Sequence, residues 1–282
     1  MKKLLSLYGL KWNPFTPDLP NEGIIKSKRF DNFCWRVETL ALEGGFALVT
    51  GESGLGKSIT LRALNEHLSQ IREVSVGVIS RPQSGIPDFY RELGFLFGIE
   101  LKSNNRWGGY RLLRDKWQTH IDSTLLRPVL IIDEAQEMLT PVLAELRLLA
   151  SHKFDSQILL TIVLAGDNRL QQRLKSPELI PLGTRIRTRL HLETYTKNEL
   201  LDLLKEVCLR AGNLTLMNED LLETLTEHSA GNPRILMTLA AEVLAVACKK
   251  EARVLDANLY LEAFPQPSSQ LQRKPRQTST KN

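Results

Sequence analysis

Short, continuously apolar runs alternate along this chain with longer stretches in which apolar residues recur every three or four positions. Residues 46–49, 74–79, 129–132 and 158–164 are the apolar runs. Their length and β-branched content predict strands buried on both faces. Ile59, Leu61, Leu64 and Leu68 set a helical period between the first two runs. Further helices are expected over residues 31–42, 87–97, 110–123 (with Leu112, Leu113 and Ile121 inward) and 140–149. Residues 103–109 read as a polar turn. It contains Trp107, which reads first as a packing residue and second as a base-stacking one. Strands alternating with helices predict an α/β fold with a parallel, doubly wound sheet. Ligands of such sheets sit at the carboxyl ends of the strands.

Beyond Leu192 the apolar runs stop. Thr196-Lys197-Asn198-Glu199 has capping-box spacing and opens a helix carrying Leu200, Leu203, Leu204 and Val207. Asn218 caps a second helix, with Glu219 and Asp220 in its first turn. Gly231-Asn232-Pro233 introduces a third, over residues 235–247, and Asp256 caps a last one. The expected layout is an N-terminal segment and helix leading into the core (1–45), an α/β core (46–192), a small helical lid (193–264) and a basic tail (265–282). The tail's Pro, Ser, Gln and basic content predicts disorder.

The turn after the first strand reads Gly51-Glu52-Ser53-Gly54-Leu55-Gly56-Lys57-Ser58. It fits G-x-x-x-x-G-K-[ST], in the strand–loop–helix setting that makes this P-loop motif specific. Gly51, Gly54 and Gly56 let backbone N–H groups converge on an anion. The helix N-terminus adds its partial positive charge. Lys57 is expected on the β- and γ-phosphates and the Ser58 hydroxyl on Mg²⁺, with the nucleotide contacts running on to Ile59. The run 129–132 ends in Asp133-Glu134. Asp133 is placed to bind Mg²⁺, in part through water. Glu134 is placed to orient and deprotonate an attacking water. The two motifs together predict NTP hydrolysis. ATP is the expected nucleotide, because no N-K-x-D guanine-reading motif is visible.

With LAGDNRL at residues 164–170 and SAGNPR at residues 229–234, these motifs resemble the AAA+ ATPases. The likeness is greatest to the ExeA/TniB/TnsC group, over about residues 7–262. It includes Tyr8-Gly9-Leu10, Asn13-Pro14-Phe15, the IIDEAQ stretch and Leu146-Arg147-Leu148-Leu149. The resemblance implies a sensor at Asp167 or Asn168, where relatives carry a neutral polar residue. An Asp beside the γ-phosphate would repel it. So Asp167 is protonated, turned toward a cation, or not the sensor, and Asn168 competes for the role. The resemblance also implies an arginine finger acting in trans within residues 184–189. Arg185 is the first choice and Arg187 the second, while Arg189 completes a cluster in which at least one member is a solvated strand charge. Arg234 matches a second sensor, reaching from the lid to the nucleotide. Ser80 departs from the pattern, since many relatives have Asn there. A finger acting in trans implies a ring or helical filament built head to tail.

The net charge of +5 is concentrated at the ends. Residues 265–282 supply +4 and residues 1–11 supply +3, leaving −2 over residues 12–264, so a DNA footprint on the body must be local. Residues 80–118 carry +3. In the transposition regulators of this group the loop after the second strand and the turn beyond it face DNA. Here those hold Arg81, Gln83, Ser84, Asn104, Asn105 and Arg106, which suit phosphate contacts that position without reading sequence. The resemblance therefore implies an ATPase that oligomerises on duplex DNA, marks a target and recruits a partner transposase. The alternatives are a secretion-assembly ATPase of the ExeA type, or an AAA+ switch that works without DNA. ExeA-type proteins carry a transmembrane segment and periplasmic extension that this sequence does not show, and no integrase-like D-D-E set is visible. Cys34, Cys208 and Cys248 lie far apart in apolar contexts, which predicts free thiols in a reducing cytoplasm. No run is long enough to span a membrane, and the N-terminus lacks a signal-peptide pattern.

Overall fold

The computed structural model describes residues 2–100, 106–153 and 156–265. In chain order these form α1 (Lys2–Tyr8), α2 (Lys28–Glu43), β1 (Gly45–Gly51), α3 (Lys57–Ser69), β2 (Val74–Ile79), α4 (Ile86–Leu96) and α5 (Arg106–Thr124). Then come β3 (Arg127–Ile132), α6 (Thr140–Ala150), β4 (Ser151–His152), β5 (Gln157–Ile158), β6 (Thr161–Gly166), α7 (Asn168–Arg173), α8 (Ile180–Gly183) and β7 (Ile186–Leu192). The chain closes with α9 (Lys197–Ala211), α10 (Glu219–His228), α11 (Pro233–Lys250) and α12 (Ala257–Ala263). The expected basic tail, from residue 266 on, and Asn104 and Asn105 lie outside the described residues.

Five strands form one parallel sheet in the order β2-β3-β6-β1-β7. Every residue of β1 and β6 is buried, which is why these strands read as unbroken apolar runs. Side chains alternate between the two faces. Phe46, Leu48, Leu130, Ile132, Ile162 and Leu164 pack with residues of α4, α5 and α6. Ala47, Val49, Val129, Ile131, Val163 and Ala165 pack with α2 and α3. The sheet is thus covered on both sides, as the alternation of elements predicts. At the edge, β7 buries Ile186, Thr188 and Leu190 while Arg187, Arg189 and His191 face outward.

Four features depart from expectation. The run 158–164 is not one strand. Gln157–Ile158 pairs antiparallel with β4, and the parallel ladder begins only at Thr161, opposite Gly45. Upstream of Gly45 the neighbouring chain on the β1 side is helix α2, and Leu159 N–H donates instead to the Ala150 carbonyl at 2.9 Å. The close approach at this corner needs Gly44, at φ 80, because a Cβ there would lie 2.4 Å from the Ile158 carbonyl oxygen. Residues 106–109 are helix rather than turn, since α5 begins at Arg106. On α5 the buried stripe is Leu113, Trp117 and Ile121, four residues apart, and Leu112 points outward. Trp107 does not pack inward either: it is 65% exposed, edge-on to Tyr110, with the Arg106 guanidinium over its ring. Finally, the N-terminal segment does more than lead into the core. Tyr8, Leu10 and Phe15 are buried in the lid's own cluster, with Leu200, Leu204 and Leu244. Lys11 N–H donates to the Ala211 carbonyl at 2.7 Å.

Candidate active site

The strand–loop–helix unit sets the first half of the site. The chain leaves β1 at Gly51 and enters α3 at Lys57, with Gly54 at φ 88 and Gly56 at φ 96. Such left-handed backbone suits glycine and turns successive N–H groups toward one concavity. Gly51 is needed for packing as well, since a Cβ would lie 2.8 Å from the Leu192 carbonyl oxygen of β7. The Lys57 side chain folds back, its Nζ donating to the carbonyls of Gly51 (2.9 Å) and Glu52 (3.0 Å). Ser58 and Ile59 stand exposed in the first turn of α3.

The second half comes from β3 and β6, which bring their carboxyl ends beside β1. Asp133 follows β3, and its Oδ1 accepts the Glu134 N–H at 2.9 Å. Glu134 is in the left-handed region at φ 50, which turns its side chain away from the strand line. Gln136, nearly buried, donates its amide to the Glu134 carboxylate. The donor set fits a nucleotide carrying Mg²⁺. Ser58 and Asp133 offer hard oxygens, Lys57 offers a cation over the loop, and the described residues contain no His/Cys/Asp/Glu cluster that would hold a metal alone. Magnesium held by one or two carboxylates characteristically takes its remaining ligands from water and phosphate.

At the end of β6 the two sensor candidates part company. Asp167 caps α7 and faces a cation: its carboxylate accepts from Arg169 N–H (2.9 Å) and Arg169 Nε (2.8 Å). The Arg169 guanidinium, raised above its ordinary pKa by Asp167, also pairs with Glu137 at 2.8 Å. Asn168 instead donates its side-chain amide to Glu52 of the P-loop at 2.8 Å. Arg234 reaches the same loop from the lid: its Nη1 donates to Ser53 Oγ (3.1 Å) and its backbone N–H to the Gly54 carbonyl (3.2 Å).

Two residues at the site were not singled out from sequence. Asn232 caps α11 and also donates to the Ser53 carbonyl at 2.9 Å, so close that a Cβ on Gly54 would lie 2.3 Å from its Oδ1. Gln136 is the other. The only sequence signal for either was its place inside a motif whose other members were easier to interpret.

The three arginines are not gathered at this chain's own P-loop. Phe46 is opposite Ile186 and Gly51 opposite Leu192, so Arg185, just ahead of β7, lies about 20 Å down the strand, whereas Arg189, opposite Leu48, lies about 10 Å down it. Arg185 donates to the Pro181 carbonyl at 2.5 Å, Arg187 pairs with Glu43 at 3.3 Å, and Arg189 donates to the Gly183 carbonyl at 3.1 Å. Among the residues expected against DNA, Arg81 and Gln83 are exposed beyond the end of β2, and Ser84 is half-buried. Arg106 differs from the expectation. Its guanidinium is committed to Glu145, with Nε at 3.1 Å from a carboxylate that is 3% exposed. Tyr90 donates to the same carboxylate at 2.7 Å, and its phenol is pushed up by burial and then by that hydrogen bond. This cluster ties α4, α5 and α6 together. A buried carboxylate needs such partners, and this one holds the cation that was expected on a phosphate.

Residues 41–174 match the AAA domain family. The general secretion pathway protein A of Aeromonas hydrophila is 30% identical over 226 residues, covering 78% of this chain and 40% of that protein. The chain thus spans well under half the length of that relative. Cdc6p from Pyrobaculum aerophilum has a similar structure, with a TM-score of 0.70 at 16% identity over 86% of this chain and 67% of that one. The Aeropyrum pernix ORC1 protein, solved in complex with DNA, gives 0.66 at 17% identity over 89% and 67%. At such identities the likeness is one of fold. With its P-loop and its acidic strand end both inside residues 41–174, the chain carries an AAA domain on the AAA+ type of P-loop fold.

Proposed function

We propose that this ATPase regulates DNA transposition. ATP-bound copies assemble head to tail on duplex DNA, mark the target and recruit a partner transposase, and hydrolysis takes the assembly apart. The observation that supports the assembly step is the separation of Arg185 from this chain's P-loop. A cation at the opposite end of the strand is out of reach of its own chain's nucleotide, and a finger acting on a neighbour's nucleotide makes the site composite. In that site Lys57 leaves its two carbonyls for the β- and γ-phosphates, and Glu134 takes the proton of the attacking water. Asn168 and Arg234 report the nucleotide's state to the sheet and the lid. Ser58 and Asp133 would hold Mg²⁺, which supplies charge neutralisation for the leaving phosphate.

Two observations support DNA as the track. Arg81 and Gln83 stand exposed on the P-loop side of the sheet, and ORC1 of similar fold was solved with DNA. The transposase step rests on the resemblance of LIIDEAQ, LAGDNRL and SAGNPR to the transposition regulators. Such action is cytoplasmic and needs no membrane; among the described residues no helix is long and apolar enough to cross one. The match to general secretion pathway protein A favours a second reading, an assembly ATPase for secretion.

Electron microscopy with a slowly hydrolysed ATP analogue, with and without duplex DNA, separates the two. Rings or filaments that form only on DNA, and dissolve steeply as salt rises, are expected. Rings that form equally well without DNA would transfer the protein to the second reading.

A further inference from the structure

Gln136 lies in the stretch that carries Asp133 and Glu134, yet no role has been given to it. It is 7% exposed, unusual for a polar side chain outside a network. Its Nε2 donates to the Glu134 carboxylate. Its Oε1 accepts the Asp167 backbone N–H at 3.3 Å. Flipping the amide would set oxygen against carboxylate and N–H against N–H, so the two contacts fix its orientation. Its main chain is clamped too, because Arg173 Nη1 donates to the Gln136 carbonyl at 2.6 Å and Nη2 to Thr140 Oγ1 at 3.1 Å. Room for the side chain comes from Gly166, where a Cβ would lie 2.5 Å from Gln136 Oε1. The amide therefore bridges the end of β6 and a carboxylate on a strained, left-handed residue.

We propose that Gln136 is the positioning residue for Glu134: it aims the carboxylate at the attacking water and links that aim to the end of β6. The inference rests on the reading of Glu134 as the base. By this link a shift at Asp167-Asn168, such as an occupied P-loop would cause through Glu52, moves the carboxylate as well.

The test compares two variants of the full chain. Gln136→Met keeps the shape and loses both hydrogen bonds. Gln136→Glu keeps the acceptor for the Asp167 N–H and sets a like charge against Glu134. Both are expected to lower kcat for ATP about 10–100-fold, the range for groups that orient others, with nucleotide affinity within about twofold of wild type; the thermal midpoint falls as well, because Gln136→Met leaves the Asp167 N–H unpaired. A purely structural tie to β6 predicts instead a lower midpoint with kcat unchanged in Gln136→Met. Wild-type turnover in Gln136→Met, beside an inactive Glu134→Gln, overturns the positioning role. Wild-type turnover in Glu134→Gln overturns the base assignment itself, and the positioning role with it.

Discussion

Cys34 and Cys208 show how strongly single positions feel their surroundings. Burial pushes both thiols up to about 12. The thiolate is the reactive form, so at pH 8 about one molecule in ten thousand would present it. Neither cysteine is expected to react with iodoacetamide in the native protein over an hour, and both are expected to react after denaturation; mass spectrometry of the alkylated peptides reads this directly. The apolar contexts of these cysteines were legible in the sequence. So were the P-loop residues, because the motif is local and its glycines are required by backbone conformation. The different settings of Asp167 and Asn168 were not legible. Arg169 reaches back to Asp167 while Asn168 donates to Glu52, and no spacing rule carries that.

Among the elements, the helix starts were the most readable features. Thr196, Asn218, Asn232 and Asp256 all accept a backbone N–H as N-caps, and Thr196 with Glu199 forms a reciprocal capping box, whereas the helix expected from residue 31 starts at Lys28 behind an unforeseen cap, Ser27. Asn232 has a second contact that its sequence could not reveal. Asn218→Ala removes only a cap and is expected to cost about 1 kcal/mol, seen as a lower thermal midpoint with ATP affinity unchanged. Asn232→Ala removes a cap and the lid's hold on Ser53. It is expected to lower the midpoint similarly and also to weaken nucleotide binding several-fold in a fluorescent-nucleotide titration. Equal nucleotide affinity in the two variants would reduce Asn232 to a cap. The errors at this scale have one cause. Leu112 and Trp107 are apolar by type but fall outside the stripe that α5 turns toward the sheet, and Leu159 and Leu160 are strand-like by type but precede the start of the β1 ladder at Gly45, with Leu159 bonded to the Ala150 carbonyl instead.

For the whole molecule, strand order decides which residues meet. β6 lies between β1 and β3, so its end meets both the P-loop and the Asp133-Glu134 turn, while the start of β7 at the edge leaves Arg185 at the opposite end. The proposed composite site would make assembly depend on the bound nucleotide. Lys57→Ala is expected to abolish ATP-dependent assembly, and Glu134→Gln to trap the assembled state, as read by sedimentation with ATP and duplex DNA. If both variants sedimented like the wild type, nucleotide state would not control assembly.

By itself the sequence determined the phosphate cradle, the paired carboxylates, the parallel sheet and the helical lid. Each rests on short-range rules: backbone freedom at glycine, period two or 3.6, and cap chemistry. Tertiary structure alone decided that Tyr8, Leu10 and Phe15 pack with the C-terminal helices, that Glu145 holds Arg106, that Gln136 holds Glu134, and that Asn232 meets the P-loop. Those pairings join residues that are distant in the chain, or join neighbours through a third element. Buried polar groups must find partners wherever packing leaves them, and only the assembled fold says where that is.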